Sequence, residues 1–121
     1  MASNKGNPIL IVEDEADARE ALSEFLAAKG YQVACASNGL AAIDQIRNTK
    51  PVLILLDLNM PVMDGYTFLD QAQQNHLLED VPVIVTTAHR LQDTPGAAAI
   101  VSKPIMPEAL VPLIERLVHV H

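Results

Sequence analysis

Two spacings of apolar residues alternate along the chain, and the alternation predicts a fold before any single residue does. The runs "PILIVED" (8–14), "YQVACAS" (31–37), "PVLILLD" (51–57), "VPVIVTT" (81–87) and "AAIVSK" (98–103) are short, mostly aliphatic or β-branched, and bounded by Pro, Gly or polar residues. That is the pattern of five strands. Between the first two, Ala18, Ala21, Leu22, Phe25 and Leu26 fall at helical spacing, and Lys29-Gly30 supplies a stop. Similar stripes run through Ala42, Ile43 and Ile46, through Phe68, Leu69 and Ala72, and through Leu110, Leu113, Ile114 and Leu117, with Asn38 placed to cap the second helix. Strands apolar on both faces and separated by helices belong in a parallel sheet covered on both sides, with right-handed crossovers.

Length and composition narrow the picture. A chain of 121 residues, half of them hydrophobic, suits one folded domain with a single sizeable core. A formal net charge of −7 argues against direct binding to nucleic acid or to an anionic membrane, and is compatible with an acidic cluster that holds a cation. The single cysteine, Cys35, excludes an internal disulfide; it lies in an apolar alternation and reads as a structural thiol. "MASNKGNP" has no apolar stretch of signal-peptide length and no run is long enough to span a membrane, so the expected location is the cytoplasm.

The chemistry gathers at the strand ends. The first strand ends in Glu13-Asp14, the third in Asp57, the fourth in Thr86-Thr87 and the fifth in Ser102-Lys103. In open α/β sheets ligands bind beyond the carboxyl ends of the strands where the order reverses, and in the order 2-1-3-4-5 that crevice lies between strands 1 and 3. Helix capping accounts for any one of these polar residues, but not for three acids, a hydroxyl and a Lys-Pro at one edge.

These residues resemble the receiver domains of two-component response regulators. The likeness covers roughly residues 8–118 and rests on Glu13-Asp14, on "DLNMPVMDG" from Asp57 to Gly65, on "VPVIVTTA" and on "SKP" at 102–104. It implies one receiver domain in residues 1–121, an α/β flavodoxin-like doubly wound sheet of five parallel strands in the order 2-1-3-4-5. It also implies that Asp57 accepts a phosphoryl group from a sensor histidine kinase or a histidine phosphotransfer protein, and that an unknown downstream protein reads the result. Carboxylates repel an incoming phosphate, so a hard cation must lie between them, and Mg²⁺ suits oxygen ligands. Carried over by motif position, Asp14 and Asp57 ligate it directly, Glu13 through water, and the backbone carbonyl of Asn59 completes the set. Lys103 supplies fixed positive charge for the phosphoryl oxygens, and its bond to Pro104 is expected to be cis as in the family. Thr87, directly before Ala88, takes the hydroxyl role, while Thr86 points to the opposite strand face as an ordinary strand residue.

Other residues have plainer readings. Met60 and Met63 flank Pro61 as loop packing, Gly65 permits the turn into the third helix, and Asp64 belongs to an Asp-Gly turn. His89 either influences water access to the site or is simply exposed, and His119 and His121 are too few for a designed metal site. Three features depart from the family. "HRLQDTP" alone separates Ala88 from Gly96-Ala97, so the family's fourth helix should be reduced or absent; Ile100 stands where a Tyr or Phe is usual; and Pro112 should kink the last helix. A haloacid-dehalogenase-like phosphatase would want a second Asp where Asn59 stands. The alternative that remains is a pseudo-receiver, a protein-interaction module independent of phosphorylation, and against it stand the intact acid pair, Asp57 and Lys103.

Overall fold

The computed structural model describes residues 7–58, 65–87 and 96–118. In chain order these form β1 (Ile9–Val12), α1 (Ala16–Ala28), β2 (Val33–Ala36), α2 (Gly39–Asn48), β3 (Leu53–Asp57), α3 (Gly65–Gln74), β4 (Val83–Thr87), β5 (Ala99–Ser102) and α4 (Pro107–Val118). All four strand pairings are parallel, and the sheet order is β2-β1-β3-β4-β5. The doubly wound α/β sheet expected from the two spacings is therefore present.

Each strand sends alternate residues to opposite faces, which splits the core in two. Leu10, Val12, Ile54, Leu56, Val83 and Val85 pack with Ala42, Ile43 and Ile46 of α2 and Phe68, Leu69 and Ala72 of α3. Ile9, Ile11, Leu53, Leu55 and Ile84 pack instead with Leu22 and Leu26 of α1 and Leu110 and Ile114 of α4. With β1 and β3 buried on both faces, the core holds the ends of those strands rigidly and so positions the polar residues at their carboxyl edge.

The helix boundaries have local causes. The side chain of Asn38 accepts a hydrogen bond from the Ala41 N–H at 2.9 Å, satisfying one donor that the start of α2 would otherwise leave open. After α1, Gly30 takes φ of +98°, a turn that glycine makes without steric cost. Within α1 the apolar stripe is only partly covered: Leu22 and Leu26 are buried, Ala18 and Phe25 half-buried and Ala21 exposed. The α1 backbone near Ala18 and Ala21 borders a cleft of about 290 Å³ instead of the core.

Pro112 lies inside α4, and the helix runs through it without a break. Its side chain is exposed, so the Glu108 carbonyl that loses its partner faces the solvent side, where water can serve it. The expectation of a reduced fourth family helix concerns residues 89–95, which lie outside the described residues. Among the described residues no helix stands between β4 and β5.

Candidate functional site

Asp57 closes β3, pairs in register with Thr86, and is only 2 % exposed. Glu13 continues β1 by one residue, its N–H donating to the Ala36 carbonyl at 3.0 Å, and it is 3 % exposed. Asp14, next in the chain, is exposed. The three carboxylates each offer an oxygen within 4.8 Å of the others. Octahedral Mg²⁺ ligands stand about 2.1 Å from the ion and so about 3 to 4 Å from one another, and the three acids fit such an ion with small side-chain adjustments.

Lys103 stands opposite them. It continues β5, its N–H donating to the Thr87 carbonyl at 2.8 Å, and the peptide bond to Pro104 is cis. Its ammonium lies 3.2 Å from Asp57 Oδ2 and 3.4 Å from Glu13 Oε1. One cation thus faces two buried carboxylates, with the side chain of Lys103 27 % exposed.

The electrostatics follow from this crowding. Burial pushes the Glu13 carboxyl above its ordinary range, and the negative charge of Asp57 adds to the rise; the Glu15 N–H, which donates to Glu13 Oε2 at 3.2 Å, and the Lys103 ammonium pull the other way without cancelling it. For Lys103, burial opposes the charged form, but the carboxylates of Asp57 and Glu13 outweigh it and hold the ammonium above the usual lysine value. Among the described residues the site is a net negative pocket with one positive charge, Lys103, at its edge.

The two threonines are both buried and fall on opposite faces of β4. Thr86 shares the Ile84 face, which by alternation is also the face of Asp57, and its hydroxyl donates to the Leu56 carbonyl at 3.4 Å. That bond directs the Thr86 hydroxyl to the main chain of β3. Thr87 follows the Val83 and Val85 face and stands one residue nearer the carboxyl edge. Asn59, Met60, Met63, Asp64, His89, His119 and His121 lie outside the described residues.

One contributor was not singled out from the sequence. Arg19 of α1 donates from Nη1 to the Glu13 carbonyl at 2.8 Å and lies 3.5 Å from the Asp14 carbonyl. Its signal in the sequence is a cation in the first turn of a helix, five residues after an acid pair, where the helix dipole gives it no support.

Known proteins carry the same arrangement of elements. The family described as "Response regulator receiver domain" matches residues 9–115. The chain is 33 % identical over 116 residues to the response regulator Rre1 of Synechocystis, covering 90 % of this chain and 50 % of that protein. It superposes on the chemotaxis protein CheY4 of Vibrio cholerae with a TM-score of 0.84 at 26 % identity over 92 % of this chain and 98 % of that one. It also superposes on the response regulator TrrA of Thermotoga maritima, solved in complex with Mg²⁺-BeF, with a TM-score of 0.81 at 27 % identity and coverage of 92 % and 98 %. The chain belongs to the response-regulator receiver domain family, a class of two-component signalling domains. It spans between 19 % and 56 % of the length of the curated relatives compared. No helix among the described residues is long and apolar enough to cross a membrane.

Proposed function

We propose that this receiver domain is a phospho-acceptor, taking a phosphoryl group from a histidine kinase or a histidine phosphotransfer protein onto Asp57. The observation that carries it is the placement of one ammonium, Lys103, at 3.2 Å from Asp57 in a pocket where three carboxylates converge. In the transfer, a carboxylate oxygen of Asp57 bonds to phosphorus while the bond from phosphorus to the donor's histidine nitrogen breaks. The electron pair of that bond leaves with the nitrogen, and an acyl phosphate remains on Asp57.

Asp14 and Asp57 would hold Mg²⁺ directly and Glu13 through water, with the Asn59 carbonyl as a further ligand. Bound there, the cation neutralises charge on the phosphoryl oxygens. The chain's own contributions are separable. Burial of Asp57 restricts water around the nucleophile, Lys103 stabilises the charge of the transferring group, and Thr87 offers a hydroxyl to it. The cleft beside Glu13 and Lys103, lined by Ala18, Leu22, Pro104 and Ile105, gives a donor protein an apolar footing next to the nucleophile; Met106 beside it is 64 % exposed.

The test is incubation with Mg²⁺ and acetyl phosphate followed by intact mass measurement. One added phosphoryl group is expected on the parent protein and none on Asp57→Asn. Modification of Asp57→Asn at Glu13, Asp14 or Asp64 would mean that the nucleophile is misassigned. No modification of the parent protein by acetyl phosphate or by any phosphohistidine donor would favour the pseudo-receiver.

A further inference from the structure

We infer that Arg19 is a positioning residue for the cation site, fixing the direction of the Asp14 side chain through the main chain on either side of it. This rests on the phospho-acceptor reading above. Two of the three acids are oriented by contacts of their own: Glu13 accepts from the Glu15 N–H and faces Lys103, and Asp57 faces Lys103. Asp14 is exposed, and its carboxylate makes no hydrogen bond or ion pair among the described residues. Something else must aim it, because an exposed carboxylate samples several rotamers and directions.

The Arg19 guanidinium supplies that aim. The carbonyls of Glu13 and Asp14 belong to the two peptide planes that meet at the Asp14 Cα. Holding both, at 2.8 and 3.5 Å, fixes the two backbone angles of Asp14 and with them its Cα–Cβ direction. A guanidinium held against the main chain of an acid pair would ordinarily be expected to pair with a carboxylate, two donors to two oxygens. Arg19 forms no ion pair among the described residues, and its donor goes to the main chain. Groups that orient metal ligands from outside the coordination shell commonly matter about 10-fold to 100-fold to affinity.

Charge and positioning predict opposite signs. If Arg19 acted only as a nearby cation, removing it would tighten Mg²⁺ binding; if it aims Asp14, removing it weakens binding. Mg²⁺ titration by calorimetry of the parent protein, Arg19→Gln and Arg19→Lys is the experiment, with apo thermal unfolding in parallel. The expected result is a Kd raised about 10-fold in Arg19→Gln, a smaller rise in Arg19→Lys, and acetyl-phosphate labelling rates that return to the parent value at saturating Mg²⁺ in both. An unchanged or tighter Kd in Arg19→Gln, or a labelling rate that stays low at saturating Mg²⁺, overturns the inference. Should Arg19→Gln fail to fold, Arg19→Lys decides by the same sign. Absence of Mg²⁺ binding by the parent protein would overturn the function proposed above, and this inference with it; binding by the parent with no change in the variants overturns the inference alone.

Discussion

Replacing Lys103 with methionine keeps the length of the side chain and removes the one cation among the described residues that faces Glu13 and Asp57. Both carboxylates are almost wholly buried, so the variant leaves two like charges together in a pocket that water barely reaches. Breaking a buried pair by deleting one partner costs about 3–5 kcal/mol. The lysine side chain is 27 % exposed, which gives water access to its side of the contact and brings the figure to about 2–3 kcal/mol at neutral pH. With an unfolding entropy of roughly 2.1 cal/mol/K per residue, a chain of 121 residues loses about 4 °C per kcal/mol. The apo variant should therefore melt about 8–12 °C below the parent at pH 7. The sign with pH is fixed by Glu13. Its carboxyl is raised in the folded state, so its contribution to stability is fully present below the unfolded value of 4.5 and is lost as pH rises through the folded one. Without Lys103 that carboxyl rises further, and the deficit of the variant should shrink as pH falls from 7 toward 4.5. Mg²⁺ should also restore more stability to Lys103→Met than to the parent. Thermal unfolding by circular dichroism across that pH range, with and without Mg²⁺, measures all three. A loss under about 2 °C at pH 7, or an equal loss at pH 7 and 4.5, would refute the account of the site as two buried charges balanced by one lysine.

Further outcomes are expected from the same structure. Asp14→Ala and Asp57→Ala should each weaken Mg²⁺ binding by calorimetric titration, and unchanged affinity in both would remove the cation site. Toward alkaline pH, Lys103 is raised, so its stabilisation is complete below the ordinary lysine value of 10.5 and disappears as pH rises through the folded value; alkaline melting curves of parent and Lys103→Met should converge there. Asn38→Ala removes the acceptor for the Ala41 N–H and should cost about 1 kcal/mol in denaturant unfolding. Phe68→Ala empties a fully buried position between α3 and the sheet and should cost about 3–5 kcal/mol.

The five strands and the helices were legible because each signal is local: a β-branched run ending at a polar residue, or an apolar stripe ending at Lys29-Gly30. Every strand starts one or two residues inside its run, while β3 and β4 keep the carboxyl ends of theirs at Asp57 and Thr87; Pro8 and Asp14 flank the first ladder without joining it. The meeting of Glu13, Asp57 and Lys103 was legible too, because parallel strands bring their carboxyl ends to one edge. What local pattern does not carry is reach. Nothing in the order of residues says that Lys103 touches Glu13 as well as Asp57, or that Arg19 turns back onto the acid pair. Gly96 is a similar case. Its φ of +92° and the Gln73 side chain lying where a Cβ would be make it a contact between α3 and the approach to β5, distant in sequence.

The placement of Lys103 also constrains how a change at Asp57 can leave the site. The residue follows β5, an edge strand, yet its ammonium lies against the ends of β3 and β1, so the side chain reaches past β4. A phosphoryl group on Asp57 would move the negative charge that Lys103 faces outward from the strand end, and the ammonium would follow it, leaving Glu13. The main chain of Lys103 is bonded to Thr87, so the two groups that would meet the phosphoryl oxygens are linked at the ends of β4 and β5. Ile100 offers no parallel path: it is half-buried on the opposite face, packed against the core that α2 and α3 cover, and has no polar atom or ring to exchange between solvent and interior. Were Asp57 phosphorylated as proposed, the change would have to leave the site through Lys103 and Thr87 at the ends of β4 and β5, because β5 (Ala99–Ser102) holds no aromatic that could rotate.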